Sequence, residues 1–539
     1  MVMLRKIGWI WLLGSVFAGL GEVLGLSLPT LRWGFNVSRE IEWLHWGSGE
    51  GAFLWFGWLG VLLGLAFGVM LLWKFPRDFA FTPITQRRID RFRSIKRGHR
   101  ALLILGFLAL IASLDHLVVG NEPLVMKYEG KWYFPALVRE DKVAKGKDFG
   151  IGGDEAEAPV NYRKLKQHFE DTGGEHGGNW MVMPLVPYAP TQDTVELPVE
   201  KLELRDDGLV YRKQSAEPYQ GQVSRVYDLR KPNAKYMQMA YRKGMPEGLA
   251  EGWDRQSNRV YSARYQAGEL VAGSTVWNGE GEVSDFLKQE ASGPLIVYYS
   301  AAPPSLEMGH LLGTTPQRED VLAYLFGGLQ VNFKAAIFYV PFVYVIGISV
   351  GLLMGFFGGM FDLLVQRLIE VFSNIPFLFV IIIVSESFPK NLKEQLGLGV
   401  ILFILILFGW MGMTYLMRTA ALKEKARDYV AASRVIGCST PRILFKHILP
   451  NAVAILVTLV PFSVSGLILG LTSLDYLGFG LPPEYATWGT LLREGLTNLS
   501  APWLVSSAFL CLVSVLILVT FVGEAVREAF DPKKFTYYR

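Results

Sequence analysis

Long apolar runs alternate with polar stretches along this 539-residue chain. A helix needs about 20 apolar residues to cross the roughly 30 Å hydrocarbon core of a bilayer. The pattern predicts an all-α polytopic membrane protein with about eight transmembrane helices, at residues 7–28, 51–73, 101–120, 335–361, 363–384, 396–417, 452–474 and 501–523. The fifth of these runs, 363–384, is the least apolar, because it contains Arg367 and Glu370.

Basic residues beside these runs predict their orientation, because Lys and Arg are enriched in cytoplasmic loops. Arg5 and Lys6 precede the first run, and a series of Lys and Arg residues follows the second, from Lys74 to Arg100. Alternation then places residues 121–331 outside the cell. It places both termini, a loop at 419–450 and the tail at 531–539 in the cytoplasm. Residues 5–28 show no A-x-A cleavage pattern, so we expect a retained helix rather than a signal peptide.

The external insert, residues 121–331, has the composition of a soluble domain and short stretches of alternating polarity. Tyr236 to Gly244 (YMQMAYRKG) resembles Tyr261 to Gly268 (YSARYQAG), and a similar segment follows each copy. Glycines between alternating aromatic strands are typical of stacked β-hairpins. We therefore expect a β-rich insert. Residues 205–285 are similar to variant MORN-type repeats, and an irregular β-rich insert is the alternative.

A polar and basic segment at residues 429–451 separates the sixth and seventh apolar runs. Gly437 suits the left-handed conformation that ends a short helix. Ser439 or Thr440 then suits the cap of a second helix with Pro441 in its first turn, and Pro450 predicts the next boundary. This pattern predicts a helix-turn-helix at the membrane surface, with small residues that allow close approach by a partner. An ordinary basic loop is the alternative.

The spacing of this segment resembles the coupling loop of ABC-importer permeases, E-A-A-x3-G-x9-I-x-L-P. From Phe81 onward the chain is similar to permeases of the oligopeptide and dipeptide family, and most similar to the Yej type associated with oligopeptides and microcin C. Further blocks carry the resemblance at residues 122–135, 310–322, 355–362, 472–483 and 523–532. The resemblance implies contact with an ATPase through Ala431, Ala432, Ser433, Gly437, Ser439, Pro441, His447, Leu449 and Pro450.

The chain also departs from the family pattern. Ala431 occupies the position of the motif's glutamate, and Thr315 the position of an aspartate. Residues 1–80 add two spans to the family core, and the insert is longer than the family's usual loop. The implied organisation is an extra two-span segment (1–80), a basic segment with the first core helix (81–120), the insert (121–331), an ABC type I permease core (332–530) and the tail (531–539).

No Walker A pattern, G-x-x-x-x-G-K-[ST], occurs in the sequence, so we expect no ATP hydrolysis by this chain. The resemblance implies a permease subunit of the inner membrane that imports oligopeptides or peptide-like compounds. ATP and Mg would be held by two partner ATP-binding subunits, beside a second homologous permease and an extracytoplasmic peptide-binding protein. Residues 87–100 favour contact with anionic membrane lipid over nucleic acid, because they directly precede a span.

Other candidate chemistry is sparse. Cys438 and Cys511 are the two cysteines and offer no disulfide framework or metal site. A His- and acid-containing cluster lacks a known ligand spacing and indicates a solvated loop: His168, Glu170, Asp171, Glu175 and His176. Asp115 and His116 either line a polar pathway or extend to the interface. The candidates for a translocation path are Asn374, Pro376, Ser385, Ser463 and Ser465.

Two other functions are compatible with the sequence. An ion-coupled secondary transporter would need central carboxylates, and Glu22 and Glu370 are few and peripheral. A membrane-anchored binding or scaffold protein would carry its activity in the external repeats.

Overall fold

The computed structural model describes residues 2–26, 34–35, 38, 44, 46, 53–74, 83–138, 144–151, 159–171, 178–191, 193, 200–205, 207–212, 217–226, 235–254, 258–279, 282–284, 296–297, 301–306, 309–389 and 396–531. The chain divides into two compact units. The first comprises Met1–Asp193 and Glu319–Arg539, and the second is Thr194–Arg318.

The first unit is mainly helical. Its α-helices are α1 (Val2–Val23), α2 (Trp55–Lys74), α3 (Pro83–Ser94), α4 (Lys96–Ser113), α5 (Tyr162–Asp171), α6 (Val321–Phe357), α7 (Gly359–Ser373), α8 (Phe377–Ser387), α9 (Leu398–Lys425), α10 (Asp428–Val435), α11 (Thr440–Arg442), α12 (Leu449–Leu456), α13 (Val460–Leu477), α14 (Trp488–Thr497) and α15 (Pro502–Phe530). A π-helix, Ile443–Ile448, precedes α12, and a 3-10 turn, Val457–Leu459, precedes α13.

Within the described residues, five helical segments are long and apolar enough to cross a membrane: α2, α6, α9, α15, and α13 together with the turn before it. A bent pair, α7 and α8, makes a sixth if it is one span. The apolar part of α1 is shorter, Gly8–Val23. Helix α4 begins with the charged residues Lys96 and Arg97 and is not among these five segments. The predicted class, a polytopic helical membrane protein, is confirmed. The number of spans among the described residues is five to six.

The fifth predicted span, residues 363–384, is not one straight helix. Helix α7 ends at Ser373, α8 begins at Phe377, and their axes are bent by 88°. Pro376 occupies the N-cap position of α8. Its ring disfavours helical dihedral angles at the preceding residue, Ile375, so the sequence itself places a break there.

Three glycines at four-residue intervals form the contact of α6 with α9. A methyl group added at Gly351 would lie 2.5 Å from the Thr414 carbonyl oxygen, and one at Gly355 would lie 2.7 Å from the Arg418 carbonyl oxygen. Gly347 is equally close to Met413. Small residues at this spacing let two helix backbones approach closely, which is how helices associate without a hydrophobic driving force in lipid.

The basic residues of α3 and α4 pack on the last turns of α15. Arg97 forms an ion pair with Glu524 at 3.3 Å, and Arg91 lies 3.8 Å from Glu528. Gly98 has no room for a side chain, because a methyl group there would overlap Ala525. The basic run therefore connects α3 and α4 to α15, in addition to any role at the membrane surface.

The chain between α13 and α15 folds back on α6. Trp488 is buried, and its indole N–H donates to the Leu325 carbonyl oxygen at 2.9 Å. Gly478, with φ +85°, ends α13, and the Asp475 carboxylate accepts from the Leu481 N–H at 2.8 Å. These contacts fix α14 against the start of α6.

A small antiparallel sheet follows α4 in the first unit, with strand order β2-β1-β3. Its strands are β1 (Val125–Tyr128), β2 (Lys131–Tyr133) and β3 (Trp180–Val182). Met126 and Met181 on one face pack with Leu165 of α5 in a buried cluster.

Asp115, at the end of α4, is buried and accepts a hydrogen bond from Gln330 at 3.0 Å, and the Lys334 ammonium group lies 3.6 Å from it. These partners on α6 give Asp115 a role in packing.

The second unit contains the predicted β-rich structure. Its strands are β4 (Glu200–Leu204), β5 (Val210–Arg212), β6 (Gly221–Val226), β7 (Lys235–Arg242), β8 (Met245–Trp253), β9 (Arg259–Gln266), β10 (Glu269–Leu270), β11 (Val276–Trp277) and β12 (Ile296–Val297). They form an antiparallel sheet in the order β10-β9-β8-β7-β6-β12-β4-β5, with β11 on β9.

The two similar segments in the sequence each form a β-hairpin. Lys243 and Gly244 join β7 to β8, and Ala267 and Gly268 join β9 to β10. All four turn residues have positive φ, between +50° and +89°, as type I′ hairpin turns require. Their glycines explain the punctuation seen in the sequence. The assignment to MORN-type repeats stays a prediction.

The glycine contact between α6 and α9 can be tested by adding one methyl group. We expect Gly351→Ala to destabilise the protein by about 1–3 kcal/mol, the usual cost of overpacking. Gly412→Ala is the control, because Gly412 lies on the same helix pair with nothing within 4 Å of the added group. Denaturation in detergent micelles measures both. Equal effects of the two substitutions would contradict the proposed packing.

Glu494 on α14 makes stability depend on pH. Burial, with a smaller contribution from Glu319, raises the pKa of Glu494 from 4.5 to about 7, partly opposed by Arg493. The folded protein therefore keeps this proton where the unfolded chain releases it, so stability falls as pH rises from 4.5 to 7. We expect Glu494→Gln to flatten the dependence of the melting temperature on pH in this window, and the exposed Glu484→Gln to leave it unchanged. A parallel decline in wild type and Glu494→Gln would exclude this source.

Candidate functional site

The segment predicted as a coupling loop is a compact helical hairpin between α9 and α13. After α9 ends at Lys425, α10 runs from Asp428 to Val435. A turn at Gly437 leads to α11, the π-helix and α12. The predicted helix-turn-helix is therefore present in the structure.

Gly437 has the conformation that the sequence predicts. Its φ is +79°, its N–H donates to Arg434 at 3.0 Å, and the next N–H, of Cys438, donates to Ser433 at 3.0 Å. This pair of bonds is the Schellman motif, which satisfies the last carbonyl groups of a helix. No neighbour lies within 4 Å of a methyl group added at Gly437, so the demand for glycine comes from the backbone angle.

The second half of the segment differs from the prediction at Pro450. Ser439 occupies the N-cap position of α11 without a side-chain hydrogen bond, and Pro441 lies in the first turn as predicted. Pro450 does not end a helix, because α12 runs from Leu449 to Leu456 through it. A proline inside an α-helix removes one hydrogen bond and clashes with the carbonyl group four residues earlier. The π-helix directly before Pro450 has the wider i to i+5 pattern, which accommodates the ring.

One face of the segment is buried against the membrane helices. Val430, Ile443, Leu444 and Ile448 join a cluster with Leu352 and Phe356 of α6 and Met413, Met417 and Ala421 of α9. Ser433 is buried and donates to the Tyr429 carbonyl oxygen at 2.7 Å. The segment is thus attached to the helix pair that the glycines bring together.

The opposite face is exposed, and its tip carries apolar side chains between Arg434 and Arg442. Ala431, Ala432, Gly437, Ser439, Pro441 and Pro450 are all exposed. The side chains of Val435 and Ile436 are 88% and 80% exposed. Two neighbouring branched apolar side chains at the tip of a polar loop are typical of a surface that a partner protein covers.

Tyr429 links the two arms of the hairpin. Its hydroxyl group donates to the Glu424 carboxylate at 2.6 Å and accepts from the Asn451 amide at 3.2 Å. Asn451 also donates to the His447 carbonyl oxygen at 3.0 Å. Burial, and then the hydrogen bond to Glu424, raises the pKa of Tyr429. His447 and Leu449 are half-buried, which places both on the packed side of the segment.

Three further contacts lie within the segment or beside it. Arg418 of α9 forms two hydrogen bonds of 2.6 Å each with the Asp362 carboxylate of α7. Lys425 donates to the Phe356 carbonyl oxygen at the end of α6, at 2.5 Å. Arg434 of α10 lies 5.4 Å from the centroid of the Phe356 ring, within the range of a cation–π interaction. No local pattern in the sequence indicates these contacts, because their partners are more than 50 residues apart.

The candidate path residues have different surroundings. Asn374 is the C-cap of α7 and Pro376 the N-cap of α8, and both are exposed. Ser385 is buried and lines a cavity of about 300 Å³ with Gly397, Phe479 and Pro482. Ser463 is 3.1 Å from the Tyr344 hydroxyl group. The Ser465 hydroxyl group is buried without a hydrogen-bond partner in the described part of the chain.

Among the described residues, no group of three His, Cys, Asp or Glu side chains is placed to hold a metal ion. His168, Glu170 and Asp171 belong to α5, where Lys166 pairs with Glu170 at 3.7 Å. Glu175 and His176 of the predicted solvated cluster lie outside the described residues. Cys438 and Cys511 are free thiols.

The apolar helices and the helical hairpin packed between α9 and α13 place the chain in the class of multi-pass membrane proteins. A family model described as "Binding-protein-dependent transport system inner membrane component" matches residues 347–536, which include the hairpin. The chain is 40% identical over 466 residues to the peptidoglycan transport system permease protein YejE of Agrobacterium fabrum, covering 85% of this chain and 96% of that protein.

Two more relatives extend the likeness. The inner membrane ABC transporter permease protein YejE of Escherichia coli is 29% identical over 84% of this chain and 98% of its own length. The oligopeptide transport system permease protein OppC of Haemophilus influenzae is 31% identical over 43% of this chain and 73% of its own length. The chain belongs to the inner-membrane permease family of binding-protein-dependent ABC importers, and within it to the Yej type. It is a multi-pass inner-membrane protein of a family of transporter permease components.

A double-mutant cycle tests whether Arg418 and Asp362 hold α9 to α7. Because the pair is bidentate and largely buried, we expect Arg418→Gln and Asp362→Asn to be non-additive, with a coupling energy of about 0.5–3 kcal/mol. Unfolding titrations in mixed micelles measure it.

The pair Arg367 and Glu370 on α7 is the matched control. It is nearly as short, 2.7 Å, but more exposed and within one helix, so its coupling energy should be about 0.2–0.5 kcal/mol. Similar coupling energies for the two pairs would show that the bond between α7 and α9 has no special weight.

Proposed function

We propose that this permease moves oligopeptides or peptide-like compounds into the cell, driven by ATPase subunits that bind the hairpin between α9 and α13. The relatives' names support the substrate class: one is an oligopeptide and another a peptidoglycan transport permease. The observation that carries the proposal is the exposed apolar tip, Val435 and Ile436, on a hairpin whose other face is packed on α6 and α9.

The geometry supports a mechanical coupling. A partner that binds the tip and changes conformation would displace Ala431, Ala432, Ser433 and the turn at Gly437. The rigid contacts of Tyr429 and Asn451 would pass that displacement to the π-helix and α12. From there the motion reaches α13, which carries Ser463. Two packing arrangements of these helices, each favoured by a different ligand state of the partners, would open the path alternately to the two sides.

The rest of the assembly follows from the same proposal. Two ATP-binding subunits would hold ATP and Mg, a second permease subunit would complete the path, and an extracytoplasmic protein would deliver the peptide. In this arrangement both termini and the hairpin are cytoplasmic, and α1 and α4 join the longer helices to give eight spans. Asn374, Pro376, Ser385, Ser463 and Ser465 stay the candidates for the path.

The turn at Gly437 gives a sharp test of this function. Valine is strongly disfavoured at positive φ, whereas asparagine tolerates it. We expect Gly437→Val to reduce ATP-driven uptake of a labelled oligopeptide at least about 10-fold, a loss of about 1.4 kcal/mol in coupling, and Gly437→Asn to retain most of it. Proteoliposomes containing the full complex provide the assay, with ATP hydrolysis measured in the same vesicles.

The two readouts separate the parts of the proposal. Normal uptake by Gly437→Val would contradict coupling through this turn. If ATP hydrolysis depends on Gly437 but no oligopeptide enters the vesicles, the coupling stands and the substrate class is wrong.

A further inference from the structure

One face of the small sheet β2-β1-β3 is apolar and lacks a covering element in the described structure. Strand alternation places Trp132 and Phe134 of one edge on the same face as Trp180 and Val182 of the other. These four side chains are 40–57% exposed. The indole rings of Trp132 and Trp180 meet edge to face, 5.6 Å apart. On the opposite face Met126 and Met181 are buried in the core, so the sheet is amphipathic.

Main-chain hydrogen bonds attach this sheet directly to the end of α4. The Val186 N–H donates to Val118 at 3.0 Å, and the Gly120 N–H donates back to Val186 at 3.1 Å. Further along, the Leu124 N–H donates to Val182 at 2.8 Å. The end of α1 joins the same region, because Leu26 pairs with Val138 in a β-bridge. The sheet is therefore held where two apolar helices end.

The apolar surface of α4 continues toward this sheet. Leu103, Phe107, Leu110 and Leu114 form an exposed stripe at helical spacing up to the last turn. In a multi-pass membrane protein such a stripe faces lipid. Only the short turn from Asp115 to Leu117 and a few residues separate it from β1. An apolar sheet face so close to the end of a lipid-facing stripe lies at the depth of the headgroups.

The composition of the face fits that environment. Tryptophan is enriched at the boundary between hydrocarbon and water, where its ring is apolar and its N–H is polar. Lys127 occupies the central strand in register with both Trp132 and Trp180. A lysine stem can pack along apolar neighbours while its ammonium group reaches a phosphate group. Glu129, whose carboxylate anionic headgroups would repel, lies in the turn between β1 and β2 at the end of the sheet.

We propose that the β2-β1-β3 sheet lies flat on the lipid surface, with Trp132, Phe134, Trp180 and Val182 inserted at the headgroup boundary. The sheet then acts as an interfacial anchor, which fixes how deep α4 lies in the membrane and where the chain after it is placed. The occupant of this face is phospholipid, in continuity with the lipid around α4. This inference is independent of the transported substrate.

Site-directed spin labelling of the full-length chain tests the proposal. The background carries Cys438→Ser and Cys511→Ser, and single labels are placed by Trp132→Cys and by Val182→Cys. Gln167→Cys on the exposed side of α5 is the control. In nanodiscs of phosphatidylethanolamine and phosphatidylglycerol, we expect labels 132 and 182 to have a severalfold higher ratio of oxygen to nickel-chelate accessibility than label 167, because the charged chelate is excluded from lipid.

Two results would overturn the proposal. Free access of the nickel chelate to both labels would show that the face is in water. Protection that appears only after the extracytoplasmic binding protein is added would show that the face docks a protein instead. Label 182 leaves both indoles in place, so a local disturbance at position 132 cannot by itself decide the outcome.

Discussion

Close approach of α6 and α9 is the contact on which the rest of the core depends. Gly347, Gly351 and Gly355 remove the side chains that would hold these two backbones apart. Apolar burial does little to join helices in lipid, so packing at short range has to supply the attraction. The buried face of the hairpin rests on this same pair, through Leu352 and Phe356 on one helix and Met417 and Ala421 on the other. The hairpin therefore has a rigid base.

The connections around this base are polar and come from both helices. Lys425 satisfies the Phe356 carbonyl group at the end of α6, where a helix leaves its last carbonyl groups unpaired. Arg418 joins α9 to α7 through Asp362. Tyr429 and Asn451 close the hairpin on itself. Under the proposed coupling, a displacement of the tip would move these packed elements together, because each junction includes at least one directional bond.

Sequence reasoning reached the local features and missed those that depend on distant partners. Residues 429–451 predicted the hairpin and the left-handed turn at Gly437, because spacing and backbone conformation are local properties. The lengths of the apolar runs predict the five long helices of the described residues. They do not predict that the helix axis turns by 88° at Pro376. The helix boundary predicted at Pro450 is replaced by a helix that continues through it, because the π-helix before Pro450 accommodates the proline ring. The ion pair of Arg418 and Asp362 joins residues on different helices, and no pattern along the chain indicates it.

The alanine at position 431 changes how the hairpin can be recognised. The family motif has a glutamate there, and Ala431 is exposed on α10 with no charge of its own. Acidic groups are still present at the start of this helix: Asp428 lies in its first turn, where the helix dipole favours a negative charge, and Glu424 is held by Tyr429. These acidic groups lie at the base of the hairpin, whereas the exposed side chains of Val435 and Ile436 lie at its tip. Under the proposed coupling, a partner would recognise the tip by shape and apolar contact, which keeps its strength at high salt, unlike an exposed ion pair.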